Sequence, residues 1–207
     1  MHRGRTQFLV LIILLHQALI QAQVYGQGIP SSCHKLEIKY KRSMGIDASD
    51  AIHIPESLQV PADHKLRLCY LGQGVQKYKF NGTEWINFNA SAVLHLGGQN
   101  RIGGRHFYLA KPDNLGGQPT WETFSSWSTV TGKALEKTSV RNDAIAWVLL
   151  QSTHSSGSGK RFGQATYIQR LFTVGGLPPN TTSLTGAVTG QYFESPYTAV
   201  YAYYTKQ

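Results

Sequence analysis

The sequence predicts a single all-β domain, a β-sandwich or β-barrel, with an extended N-terminal arm. Three observations predict it. From Leu66 onward, short runs rich in Val, Ile, Tyr, Phe, Trp and Thr alternate with Gly, Asn, Pro and Ser, the texture of successive strands and turns. No stretch beyond the first 22 residues sustains a long helical period. Residues 23–62 contain Gly26, Gly28, Pro30, Pro55 and Pro61 with little periodicity, which marks an arm outside the sheet.

Residues 1–22 have the three-part layout of a cleaved secretory signal. Arg3 and Arg5 supply a basic start, Phe8 to Leu15 is unbroken apolar sequence, and Ile20-Gln21-Ala22 ends in a small residue. His16 and Gln17 interrupt the apolar run, which falls short of the about 20 residues that a membrane span needs. The expected product is a secreted chain, extracellular or attached to the cell surface, and not an integral membrane protein. Its arm, residues 23–62, is expected to hold one strand at Leu36–Lys41. The β domain occupies residues 63–207.

Strands are expected at Leu66–Leu71, Val75–Phe80, Glu84–Phe88, Ala92–Leu96, His106–Ala110, Thr120–Phe124, Ala134–Ser139, Ala144–Gln151, Ala165–Thr173 and Thr198–Tyr204. Asn81-Gly82 is a hairpin turn, since both residue types tolerate positive φ. Alternation assigns the faces. Gln76, Tyr78 and Phe80 share one face, with Lys77 and Lys79 opposite. In the later strand Ala165, Tyr167, Gln169 and Leu171 share a face, and Thr166, Ile168, Arg170 and Phe172 share the other. Gln76 and Gln169 thus fall among apolar neighbours. A buried amide left unpaired costs about 1–3 kcal/mol, so each either bonds to backbone or lines a polar pocket.

The chain is basic, with 20 Lys and Arg against 11 Asp and Glu. Loss of Arg3 and Arg5 leaves a surplus of 7. Such a surface suits acidic polysaccharide or cell-wall material. The one dense cationic cluster, Lys35, Lys39, Lys41 and Arg42, lacks the interleaved aromatics of a nucleic-acid reader, so no specific nucleic acid is expected. Cys33 and Cys69 are the only cysteines; in an oxidising compartment they predict one disulfide joining the arm to the first strand. Asn81, Asn89 and Asn180 each head an Asn-x-Ser/Thr acceptor site for N-glycosylation.

The catalytic signatures are weak. No metal is expected, because the histidines show neither His-x-His nor His-x-x-x-His spacing. No cofactor is expected either. Gly72-Gln73-Gly74 opens like a dinucleotide-binding turn, but Lys77 stands where the third glycine belongs and a strand follows where a helix is required. Ser155 to Gly159 is a Gly/Ser loop, not a nucleophile elbow. The candidate pocket comprises Gln76, His106, Trp121, Gln169 and Arg170. His106 could serve there as base, ligand or packed core residue, and Trp121 as a stacking platform or core.

In order along the chain stand Gly74-Val75-Gln76-x-Tyr78, Gly104-x-His106, Pro119-Thr120-Trp121, Ile145-Ala146-Trp147-Val148-Leu149-Leu150, Tyr167-Ile168-Gln169-Arg170, Thr173-x-Gly175-Gly176 and Tyr197-x-Ala199-x-Tyr201-x-Tyr203-Tyr204. In this run the chain resembles the DUF3455 family from about Pro55 to Tyr204. The resemblance implies a compact, mostly β, usually exported domain found in bacteria, fungi and some other eukaryotes, with no established activity. The malate dehydrogenase label of some fungal relatives finds no support in the all-β pattern. Members often carry Cys at the position of Phe80 and near Asn180 to Leu184; this chain has neither, so the resemblance implies that Cys33–Cys69 stands in for a lost family disulfide.

The expectation is therefore a binding or structural protein at a cell surface, wall or matrix. The alternative is an extracellular enzyme with a pocket around His106, Trp121 and Gln169.

Overall fold

A computed structural model describes residues 30–97, 99–157, 161–180 and 188–207. The expected signal segment, residues 1–22, lies outside the described residues. Among those described, eight antiparallel strands close into a barrel: β1 (His64–Phe80), β2 (Trp85–Leu96), β3 (Ile102–Tyr108), β4 (Pro119–Thr123), β5 (Thr129–Thr138), β6 (Trp147–Ser156), β7 (Tyr167–Gly175) and β8 (Tyr192–Lys206). Each strand pairs with its successor, and β8 pairs with β1 from His64↔Lys206 to Lys79↔Tyr192. Of the two all-β architectures that the sequence left open, the chain adopts the barrel.

Ten expected strands become eight because two pairs are continuous. Gly72 and Gly74 look like strand breakers, yet β1 runs straight through them. They are needed for space. A Cβ at Gly72 would lie 2.5 Å from the Tyr201 ring, and one at Gly74 would lie 1.9 Å from the Ser91 carbonyl oxygen. Likewise Glu84–Phe88 and Ala92–Leu96 merge into β2. Between β1 and β2, Gly82 takes positive φ but Asn81 does not. Asn81 instead accepts the Thr83 and Glu84 amides on its Oδ1, an Asx turn.

The strand expected at Leu36–Lys41 is a helix, α1 (Ser31–Ser43). Cys33, Leu36 and Tyr40 are its buried apolar residues, at helical spacing, and Glu37 pairs with Lys41 one turn on at 3.0 Å. The helix ends in a Schellman arrangement: the Gly45 amide donates to Arg42 and the Ile46 amide to Lys41. The Cys33–Cys69 disulfide forms, with Cα atoms 5.0 Å apart, and fastens α1 to the outside of β1. Cys33 and Leu36 pack there with Cys69, Val200 and Ala202. Past the helix the arm lacks regular structure apart from one 3-10 turn, Glu56–Leu58. Leu58 is fully buried against Trp147, Leu149 and Leu171 on the outer face of β6 and β7.

Inside, the barrel has two unlike ends. At one, Tyr70, Phe162 and Tyr203 form an aromatic plug, with the Phe162 and Tyr203 rings 4.3 Å apart. The middle is filled by Trp121, Tyr201 and His106. The far end is hollow. Strict alternation is broken by bulges in several ladders. In β7 Phe172 takes φ 53° and the register with β8 shifts between Leu171 and Val174. This bulge turns Phe172 away from the face of Arg170 and Ile168, on which alternation had put it. Its ring packs outside, on Tyr40 at 4.9 Å and Trp147 at 5.3 Å.

The disulfide closes a loop with sequence separation 36. The Cys33→Ser/Cys69→Ser double variant should lose about 3–4 kcal/mol of unfolding free energy, measured by urea denaturation, and the reduced wild type should match it.

Candidate functional site

The hollow end is a cavity of about 390 Å³, within the range of about 300–1,000 Å³ usual for small-molecule sites. Its floor is the His106–Trp121–Tyr201 layer. Its walls are apolar on β6, through Val148 and Leu150, and polar on β1 and β7, through Gln76, Tyr78 and Arg170. The exposed side chains of Lys133 and Lys137 line it from β5. No Asp or Glu lines it among the described residues.

Four of the five expected pocket residues meet here: Gln76, His106, Trp121 and Arg170. Gln169 does not. It neighbours Arg170 in the strand and so points the other way, where its Nε2 donates to the Leu58 carbonyl at 2.6 Å and its Oε1 accepts from the Tyr204 hydroxyl at 2.6 Å. Its role is to anchor the arm to the barrel wall.

His106 is buried. Its Nδ1 lies 2.9 Å from the Thr120 carbonyl oxygen; a carbonyl only accepts, so Nδ1 carries the proton and Nε2 is left as an acceptor. The ring stacks on Trp121 at 4.6 Å, with planes 13° apart. Burial pushes its pKa down to about 3, helped by the Arg170 charge and opposed by the bond to Thr120. The imidazole is neutral at physiological pH. The hydroxyls nearby also stay protonated: burial raises Tyr78 and Tyr197 to about 12 against the lowering effect of Arg170, and raises Tyr108 and Tyr201 as well.

Gln76 is 2 % exposed. The Asn87 Nδ2 donates to its Oε1 at 3.1 Å and also to the Lys77 and Asn89 carbonyls, which fixes the orientation of both amides. Among the described residues, the Gln76 Nε2 and the Trp121 Nε1 are buried without a hydrogen-bond partner. Arg170 donates from Nε and Nη2 to the Ala146 carbonyl, at 3.1 and 2.9 Å, and makes no ion pair among the described residues.

Sequence reasoning missed Tyr108, Tyr201, Asn87, Lys133 and Lys137 as cavity residues. The alternation of Tyr197, Ala199, Tyr201 and Tyr203 marks an inward face and was the available signal. Of the acceptor sites, Asn81 is exposed in the β1–β2 turn, Asn89 is half-buried within β2, and Asn180 is exposed.

A family model described as "Protein of unknown function (DUF3455)" matches residues 85–205. The match spans β2 to β8 and starts after the Gly74–Tyr78 run. No curated protein and no solved structure matches the chain.

His106 makes stability depend on pH. The unfolded histidine takes a proton near pH 6.5, while the folded one resists until about 3. Its stabilising share is complete above pH 6.5 and is lost as the pH falls toward 3. Between about pH 5.5 and 4, wild-type stability should fall about 1.4 kcal/mol per pH unit more steeply than that of His106→Gln, followed by denaturant unfolding at each pH.

Proposed function

The chain belongs to the DUF3455 family, and we propose that it is an exported binding protein whose barrel holds a small organic molecule in its open end. The cavity is the observation that carries this reading. Eight-stranded barrels have interiors that are either filled by side chains or roomy enough for one small ligand; here the same barrel does both, one at each end. An apolar and aromatic wall facing convergent polar groups suits a binding pocket.

Export rests on the signal-like residues 1–22, and the Cys33–Cys69 disulfide is compatible with an oxidising compartment. Among the described residues no helix is long and apolar enough to cross a membrane. Acidic polysaccharide, the partner that net charge suggested, has a weaker claim. Of the dense cationic cluster, Lys41 is turned inward, 7 % exposed and bonded to Glu37 and the Ala48 carbonyl.

The rival enzyme reading loses two of its supports. Gln169 lies outside the barrel, and a histidine of such low proton affinity is a poor general base at neutral pH. Binding needs neither.

Calorimetric titration with a neutral aromatic probe, 2-naphthamide, tests the reading. Wild type should bind it with one site. Ala134→Trp, which places an indole in the cavity from a half-buried position on β5, should weaken it at least tenfold while keeping the wild-type circular dichroism. Equal binding by both proteins would move the ligand out of the barrel.

A further inference from the structure

Resting on the reading of the cavity as a ligand site, we propose that the ligand is a carboxylate with an apolar or aromatic body, anchored by Arg170 with the Tyr108 hydroxyl as a second donor. Arg170 is half-buried and lines the cavity; a guanidinium partly withdrawn from water is best matched by a counter-charge. Arg170 is given one acceptor, the Ala146 carbonyl, shared by its Nε and one Nη2 hydrogen. Nη1 has no protein acceptor among the described residues, yet it is not sealed in the wall as the Gln76 and Trp121 nitrogens are. Arg170 lines the cavity, which contributes three cations and no carboxylate.

The unused donors form an edge, and an edge of guanidinium hydrogens matches the two oxygens of a carboxylate. Tyr108 lines the same cavity and feels the Arg170 charge; no group among the described residues bonds its hydroxyl. The other cations, Lys133 and Lys137, are exposed at the mouth, where they draw an anion inward. One interior charge matches a monoanion. A phosphate dianion would bring a second charge with no interior cation to meet it. Val148, Leu150 and the Trp121 ring line the same cavity and fit an apolar body. His106 adds discrimination: its Nε2 is a neutral acceptor, so it suits a ligand hydroxyl and repels a second carboxylate placed against it.

The test compares 2-naphthoate with 2-naphthamide, which share a body and differ in charge, by calorimetric titration on the full chain. Wild type should prefer the carboxylate at least tenfold. Arg170→Gln should bring the ratio close to one, Arg170→Lys should keep part of the preference, and Tyr108→Phe should reduce it by a smaller factor. The wild-type comparison needs no variant to fold. Equal affinity for the two probes overturns the anion anchor and leaves the cavity reading intact; binding of neither probe overturns both. A preference that survives Arg170→Gln but disappears in Lys133→Gln/Lys137→Gln also overturns it, by moving the anion to the mouth.

Discussion

The pairing of β1 with β8 is the constraint on which the other features depend. These are the longest strands, 17 and 15 residues, and their ladder joins the two ends of the sheet. A sheet of this length left open would present two unpaired edges; closure removes them and fixes which side chains face inward. The register sets Gly72 opposite Ala199 and Gly74 opposite Tyr197. The tyrosines of β8 can then fill the interior over a stretch of β1 whose inward positions, 72 and 74, are glycines. With larger residues at 72 and 74, Tyr201 and the β2 backbone would have to move, and the floor under the cavity would move with them.

Closure also makes an outside. The outer faces of β1, β8, β7 and β6 carry Cys69, Val200, Leu171 and Leu149, apolar residues that a barrel in water would leave bare. The N-terminal segment covers them, first with α1 and then with residues 52–60. Three kinds of attachment hold it: the disulfide at β1, the Tyr40–Phe172 stack and the Gln169 bond to the Leu58 carbonyl. The bulge at Phe172 links this outer layer to the inner one. A bulky residue at positive φ is strained, and the rings of Tyr40 and Trp147 hold this one in place.

Much of the fold was legible because strand periodicity is a local property. Gln76, Tyr78 and Phe80 point inward as their alternation implies, and the disulfide follows from having only two cysteines. What was not legible depended on partners distant in sequence. Both faces of β7 are buried, one by the barrel interior and one by the arm, so from sequence Gln169 and Arg170 look equally enclosed and fall in one candidate pocket. Alternation says that they diverge; it does not say which face is inside. The helix at Ser31–Ser43 was missed because Leu36, Ile38 and Tyr40 also fit a strand, and only the joining of Cys33 to the outside of β1 favours the helical spacing. Gly72 and Gly74 resembled punctuation because glycine reads the same whether it makes a turn or makes room.

Electrostatics separates the two ends of the interior. Both are lined by aromatic residues, and Tyr70 at the plugged end has a charge at hand too, the Arg161 Nη1 at 3.2 Å. That guanidinium belongs to an exposed residue and can be hydrated. Arg170 stands on a strand within the barrel, where the tyrosines around it stay neutral and His106 is kept neutral in part by Arg170 itself. A protein built for stability alone would gain by replacing such a charge with an apolar residue of similar volume. The groups that could have neutralised it from within the wall are amides, hydroxyls and an uncharged imidazole. The charge without an ion pair, the cavity beside it and the absence of an acid among the described lining residues are the three observations that the proposed negatively charged guest would join.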